Sequence, residues 1–226
     1  MSTLADTPLI RATALTRHEP VRNTTLLHPT TFILSGGQRA VITGPSGSGK
    51  SVFLRALALL DPVDDGVIQW RGRAIARGGI PAYRRRVAYI AQRPAMLDGS
   101  VEDNLRYPFS LKVYRDARFD RERAVELARR AGRDTDFLDK RASELSGGEA
   151  QIAALIRVLQ VDPDVLLLDE PTASLDPASA LEIEALVSAW FDDGHDERAS
   201  IWVSHDPAQA KRVGERQLVM TAGTLS

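Results

Sequence analysis

Short apolar runs alternate along the chain with amphipathic stretches, and glycine or proline marks most of the changeovers. Residues 9–15 and 39–43 ("RAVIT") are apolar with β-branched positions and predict strands. The second run leads straight into "GPSGSGKS" at 44–51, after which "KSVFLRALALL" has helical spacing and stops at Asp61-Pro62. Residues 66–70 and 87–91 ("VAYIA") predict two more strands. From about 93 to 145 the pattern changes: "SVEDNLRYP" and "RFDRERAVELARRAG" are helical and charged, Gly132 stands where a C-cap belongs, and no apolar strand interrupts. Strand character returns in "VLLLDE" (165–170), an unbroken apolar run of the kind buried on both faces of a parallel sheet. A helix over about 177–191 and a strand in "SIWVSHD" (200–206) follow. The alternation predicts an α/β fold with a mostly parallel sheet. A helical subdomain at 93–161 is expected between two parts of the core, 1–92 and 162–226.

Composition narrows the class. With 226 residues the chain is expected to be one domain carrying at most a subdomain. A net charge of −1 supplies no field that favours nucleic acid or an acidic membrane, so no nucleic-acid partner is expected. The absence of cysteine excludes a disulfide framework and a cysteine metal site. The start "MSTLADTPLIRATALTR" lacks the basic end and apolar run of a signal peptide. No run approaches the roughly 18 apolar residues of a membrane span. A cytoplasmic protein is expected, one that works at a membrane only through another chain.

The chemistry gathers at strand ends. "GPSGSGKS" fits Gly-x4-Gly-Lys-Ser/Thr from Gly44 to Ser51, between a strand and a helix. In such a loop the glycines let backbone N–H groups converge on phosphate oxygens, and the helix adds its positive end. Lys50 reaches the outer phosphates and the Ser51 hydroxyl can ligate Mg2+. This predicts a nucleoside triphosphate site but not what becomes of the nucleotide. Asp169 and Glu170 end the buried run, at the sheet edge where ligands bind in parallel α/β folds. Asp169 would hold the Mg2+ shell, and Glu170 could polarise a water for attack on the γ-phosphate. Gln92 after "VAYIA" could contact Mg2+ or that water. Ser204, His205 and Asp206 end another strand run, and His205 could touch the γ-phosphate.

One stretch remains: "LSGGE" at 145–149, two glycines after a serine at the start of the helical "GGEAQIAALIR". Ser146 suits an N-cap, and the serine and glycines can also present a hydroxyl and bare N–H groups to an anion. With it, the chain resembles the ATP-binding cassette (ABC) ATPases over essentially its whole length. "GPSGSGKS" resembles the Walker A motif, Gln92 the Q-loop, "LSGGE" the signature, "VLLLDE" Walker B, "SLD" (174–176) the D-loop and His205 the switch histidine. The resemblance implies a phosphate-loop core with an antiparallel N-terminal β part and a helical subdomain that carries the signature. It implies that Gly44, Pro45, Ser46, Gly47, Ser48, Gly49, Lys50, Ser51 and Val52 hold ATP. Ser146, Gly147, Gly148, Glu149 and Asp176 would complete the ATP site of a head-to-tail partner. Mg2+ would rest on Ser51, Gln92 and Asp169, and catalysis on Glu170, His205 and Gln92. The implied partners are a second copy and a separate transmembrane permease met near 93–114, with the chain peripheral on the inner face of the cell membrane.

Several positions depart from the family pattern. Glu149 stands where glutamine is commonest, Ile152 where arginine usually follows the signature, and Val52 where threonine is frequent. The aromatic that stacks on adenine is missing, and "LTRHEPVRN" offers only Arg17 or His18. The form Gln-x-Pro-x-Leu-x-Gly-Ser-Val-x-Asp-Asn-Leu within "AQRPAMLDGSVEDNLRYPF" (91–109) resembles exporter cassettes, and among them a small bacterial iron- or metal-export group. Tyr107, Pro108 and Phe109 would supply permease contact or pack inside the subdomain. An importer or a lipoprotein- or lipid-type system is the alternative. A non-transport cassette fits less well, since fewer than about a hundred residues separate the two glycine motifs and no heptads run through them. A GTPase would lack its Asn-Lys-x-Asp sequence and leave the signature unexplained.

Overall fold

The structure, a computed structural model, describes residues 7–19, 24–194 and 197–226. Along the chain come β1 (Ile10–Glu19), β2 (Thr24–Leu34), β3 (Arg39–Thr43), α1 (Lys50–Leu57), β4 (Asp65–Trp70), β5 (Arg73–Ala74), α2 (Ile80–Arg86) and β6 (Val87–Ile90). Three helices follow, α3 (Val101–Arg106), α4 (Arg121–Arg130) and α5 (Gly147–Leu159), with short 3-10 turns between them. The chain closes with β7 (Val165–Asp169), α6 (Pro177–Asp193), β8 (Ala199–Val203), α7 (Pro207–Val213), β9 (Arg216–Thr221) and β10 (Thr224–Leu225). Two compact units result: Met1–Tyr89 with Asp164–Asp169 and His195–Ser226, and Ile90–Pro163 with Glu170–Gly194.

The first unit holds two sheets. One is antiparallel in the order β2-β1-β4-β5, and the other runs β10-β9-β3-β8-β7-β6. In the second sheet β3 is parallel to both β8 and β9, and β7 is parallel to β8; β10 is antiparallel to β9. Every residue of β7 and β8 is buried, as continuous apolar runs require when both faces of a parallel sheet are covered. Phe53, Leu54 and Leu57 of α1 join Ile42, Leu167, Ile201 and Val203 in the core. Phe32 of β2 meets Phe53 edge to face, centroids 5.5 Å apart. The strand runs at 39–43, 66–70, 87–91, 165–170 and 200–206 all fall on observed strands, with Ala91, Glu170 and residues 204–206 just past the ends.

Other elements carried weaker sequence signals. β2 ("TTLLHPTTFIL") lies at a sheet edge and holds Pro29, which interrupts the strand pattern. Seven-residue α2 buries only Tyr83, too little to show a periodicity. The first helix ends at Leu57, short of Asp61-Pro62, because Leu59 turns left-handed (φ 54°) and the N–H groups of Leu59 and Leu60 fold back onto the Ala56 and Arg55 carbonyls. Side chains from α2 take the carbonyls left over. Tyr83 Oη donates to the Leu57 carbonyl at 2.7 Å, and Arg84 Nε donates to that of Ala58 at 3.3 Å.

In the second unit α5 is buried on most sides, through Ile152, Ala153, Ala154, Leu155, Ile156 and Leu159, and packs against α3, α4 and α6. Gly132 adopts φ 68° just past the Ala131 C-cap of α4, the left-handed position a glycine takes without strain. Arg130 of α4 pairs with Asp193 of α6 at 2.9 Å, and Arg133 pairs with Glu182. With the packing of α6 on α5, these ties place Glu170–Gly194 in the helical unit, whereas the segment drawn from sequence stops at 161.

Tyr83 is buried, and its hydroxyl satisfies a helix-end carbonyl. Tyr83→Phe removes the donor and is expected to lower unfolding free energy by about 1–2 kcal/mol. Urea titration should show a lower midpoint with an unchanged slope.

Candidate active site

Three neighbouring parallel strands of the first unit end level with one another. The register sets Ile42 of β3 against Val203 of β8, and Val203 against Asp169 of β7. Three chain segments therefore leave one sheet edge side by side: the glycine loop after β3, Ser204-His205 after β8, and Asp169 at the tip of β7. Ser204 N donates to the Ile42 carbonyl at 3.2 Å, which fixes the second segment beside the first. His205 is exposed beyond it.

The loop is shaped by backbone from distant parts of the unit. At Gly44 (φ 140°) a Cβ would lie 2.1 Å from the Met220 carbonyl oxygen, and at Gly49 (φ 105°) 2.8 Å from that of Leu26. No side chain fits at either position. Gly223 N donates to the Ser48 carbonyl at 2.8 Å, and His28 N to that of Gly223 at 2.9 Å. Pro45, Ser46 and Gly47 are exposed at the loop's tip, and Val52 is half-buried on α1. Lys50 is only 5% exposed, and its Nζ donates to the Gly44 and Pro45 carbonyls, both at 2.9 Å. Ser48 Oγ is buried with no hydrogen-bond partner among the described residues. The helix after the loop has no side-chain cap, so its first-turn N–H groups are the donors that an anion takes up.

Asp169, 5% exposed, is gripped at both oxygens. Ser51 Oγ donates to Oδ1 at 2.9 Å and Tyr89 Oη donates to Oδ2 at 2.7 Å. Burial first, and then the Asp169 carboxylate, push the Tyr89 phenol above its ordinary pKa. A serine hydroxyl beside a carboxylate offers the hard oxygen donors that Mg2+ takes together with phosphate oxygens, so Ser51 and Asp169 fit that ion. Tyr89 was not foreseen. The available signal was a phenol three residues before Gln92, on a strand ending at this edge.

The second unit brings Gln92 and Glu170 together, with Nε2 3.5 Å from Oε2. Glu170 has φ 49°, rare for a residue with a side chain, and its carbonyl accepts from Ala173 N at 3.2 Å in a tight turn. Asp176 caps α6: Oδ1 accepts from Ala178 N and Ser179 N, each at 3.0 Å, and Oδ2 from Ser179 Oγ at 2.7 Å. The expected nucleotide contact at Asp176 thus falls on a carboxylate already engaged by its own helix.

Ser146 caps α5 in a reciprocal box. Its Oγ accepts from Glu149 N at 3.2 Å, and its N–H donates to Glu149 Oε2 at 2.9 Å. Glu149 Oε1 accepts from Lys140 Nζ at 2.8 Å. The Lys140 hydrogen bond, and then the Ser146 N–H, lower the Glu149 pKa to about 2. Gly148 allows a close helix crossing, since a Cβ there would lie 2.8 Å from Ser179 Oγ.

Residues 27–173 match the family model described as ABC transporter. Protein STAR1 of Oryza sativa subsp. japonica is 39% identical over 217 residues, 96% of this chain and 61% of its own length. The phosphate import ATP-binding protein PstB 2 of Natronomonas pharaonis is 36% identical over 211 residues, 88% of this chain and 73% of its own. The chain belongs to the ABC transporter family. A dimeric post-hydrolysis structure of the ATP-binding cassette MJ0796, bound to ADP and Pi, superposes with TM-score 0.83 at 25% identity, covering 96% of this chain and 97% of that one. As an ABC ATP-binding subunit, the protein is a Mg2+-dependent ATPase with the cassette's α/β fold.

The departures from the ABC pattern acquire physical reasons. Ile152 is fully buried in the unit's apolar core, where an arginine would need a partner. His18 lies in β1, where its backbone N–H donates to Asp64 at 2.6 Å and its half-exposed ring stands 3.5 Å from the same carboxylate. Arg17 also pairs with Asp64, at 3.5 Å. Residues 20–23 of that stretch lie outside the described residues. Tyr107 is exposed, whereas Phe109 packs on Tyr114 and Phe119 inside the unit.

Tyr89→Phe removes the hydrogen bond that orients the Asp169 carboxylate and is expected to raise the Mg2+ concentration for half-maximal ATPase severalfold with little change in ATP affinity. Titrating Mg2+ and ATP separately reads the two. A depressed carboxylate pKa stabilises the folded state at pH values above the ordinary 4.5, and that contribution fades as pH falls toward about 2. Melting temperatures of the wild type and Glu149→Gln should therefore differ most near pH 6 and draw together as pH falls from 4.5 toward about 2.

Proposed function

We propose that this chain hydrolyses ATP in a head-to-tail homodimer and drives transport by a separate membrane subunit. The observation that carries the reading is the pair of anion-ready helix starts in different compact units. One is the loop held around Lys50 and Ser48, and the other is the Ser146 cap of α5. Two copies facing each other would set the loop of one against the signature of the other.

In each such site the loop N–H groups and Lys50 hold the outer phosphates, Ser51 and Asp169 hold Mg2+, and Ser146, Gly147 and Gly148 reach the γ-phosphate from the partner. Bound Mg2+ would neutralise part of the phosphate charge. Glu170 takes the proton of a water whose oxygen attacks the γ-phosphorus, and the bond to the ADP oxygen breaks in line. Gln92 orients Glu170 and that water, and His205 steadies the γ-phosphate. The left-handed turn at Glu170 supports this role, since strained backbone concentrates at functional positions.

The permease contact falls in 93–114, where Leu97, Tyr107 and Leu111 are exposed. Among the described residues no helix is long and apolar enough to cross a membrane, in keeping with a peripheral subunit on the inner face. The 91–109 sequence form supports export, with iron or another metal as the cargo the resemblance implies. Import is the second reading, favoured by the likeness to PstB 2.

Glu170→Gln should bind ATP, lose turnover and accumulate as a dimer by light scattering; normal hydrolysis by that variant would falsify the assignment of the base. Co-purification from native membranes, with mass spectrometry of the bound membrane subunit, tests coupling and direction together. An exporter subunit is expected, and a nutrient-importer permease would overturn export.

A further inference from the structure

Glu149 presents a conflict of charge. A carboxylate three residues into a helix closes the capping box and suits the helix dipole. At a helix end that must receive a γ-phosphate it is also an anion brought near an anion. Glutamine, the commoner residue here, keeps the hydrogen bond without the charge.

The structure supplies a counter-charge. Lys140 follows the 3-10 turn Thr135–Asp139 and is fixed by its own backbone: its carbonyl accepts from Val101 N at 2.9 Å, and its N–H donates to Phe137 O at 3.3 Å. From there Nζ reaches Glu149 Oε1 at 2.8 Å, while Oε2 stays on Ser146 N at 2.9 Å. Both carboxylate oxygens are thereby held. The Ser146 hydroxyl accepts from Glu149 N and also contacts the Glu149 carboxylate, so the cap is closed through both groups. Asp136 and Arg133, of opposite charge, also act on Lys140. The Glu149 carboxylate is 18% exposed and the lysine 45%, so the pair lies at the unit's surface, where a partner chain can meet it.

We propose that Lys140 is a positioning residue for nucleotide-driven dimerisation. Its ammonium cancels the Glu149 charge and holds that carboxylate in the cap, so that Ser146, Gly147 and Gly148 can accept the γ-phosphate of the partner's ATP. The proposal rests on the head-to-tail reading above.

The test uses the full chain with Glu170→Gln as parent, and the MgATP-dependent dimer is measured by sedimentation velocity. Adding Lys140→Ala should weaken dimerisation roughly tenfold or more, because unpaired like charges across an interface are costly and each dimer holds two such contacts. The loss should shrink at high salt. Combining Lys140→Ala with Glu149→Gln should restore most of the parent's dimer, and Lys140→Arg should retain it. Lys140→Ala dimerising like the parent would overturn the proposal. So would a Lys140→Ala/Glu149→Gln protein as weak as Lys140→Ala alone, since the lysine would then act through folding and not charge. A parent that stays monomeric with MgATP would bring down the dimer reading, and this proposal with it.

Discussion

The hydrogen bond from Ser51 to Asp169 joins the helix after the phosphate loop to the tip of a fully buried strand, and the rest of the first unit is arranged so that it can form. Asp169 can be held at a sheet edge only because Val165–Leu168 anchor the strand behind it on both faces. Ser51 arrives at the same edge because α1 packs its Phe53, Leu54 and Leu57 face into the core shared with that strand. The parallel register then levels the neighbouring strand ends, so that His205 leaves the sheet beside them. Apolar burial thus sets the position of polar atoms to a fraction of an ångström, a precision that surface loops alone would not hold.

Much of this was legible in the sequence because the signals were local. A strand of β-branched residues running into a glycine loop, or four apolar residues before Asp169, carries its meaning within ten positions. The cassette signature added a second local mark, and the Ser146 cap was readable from the serine before two glycines. What escaped depended on partners far away in the chain. Tyr89 carries only a faint local mark, its place just before Gln92, and its partner Asp169 lies eighty residues on. α6 joins the helical unit by packing on α5, and Arg130 and Arg133, which pair with it, read as ordinary surface arginines until their acidic partners are known. Lys140 reads as one charge in a charged segment. The edge strand β2 lacks the continuous apolar run that marked its central neighbours.

Asp176 and Glu149 show how one residue can answer to two demands. Each was singled out from sequence as part of a nucleotide site, and each closes the first turn of its own helix. The demands are compatible because a helix start has more donors than one cap can satisfy. The cap takes some of the N–H groups and orients the remainder. It does not by itself settle the charge of the capping group, and in this chain that falls to a lysine from a neighbouring turn.

The wall behind the phosphate loop has a consequence for energetics. Met220 and Gly223 of the C-terminal hairpin and Leu26 of β2 press on or bond to the loop through main-chain atoms, and His28 of β2 bonds in turn to Gly223. Its curvature is therefore inherited from strand pairing at both ends of the chain and not from the triphosphate. A loop held in this way lowers the ordering cost of taking up nucleotide. By the same logic, the last strands of the chain are as much a part of the nucleotide cradle as the glycines that gave it away.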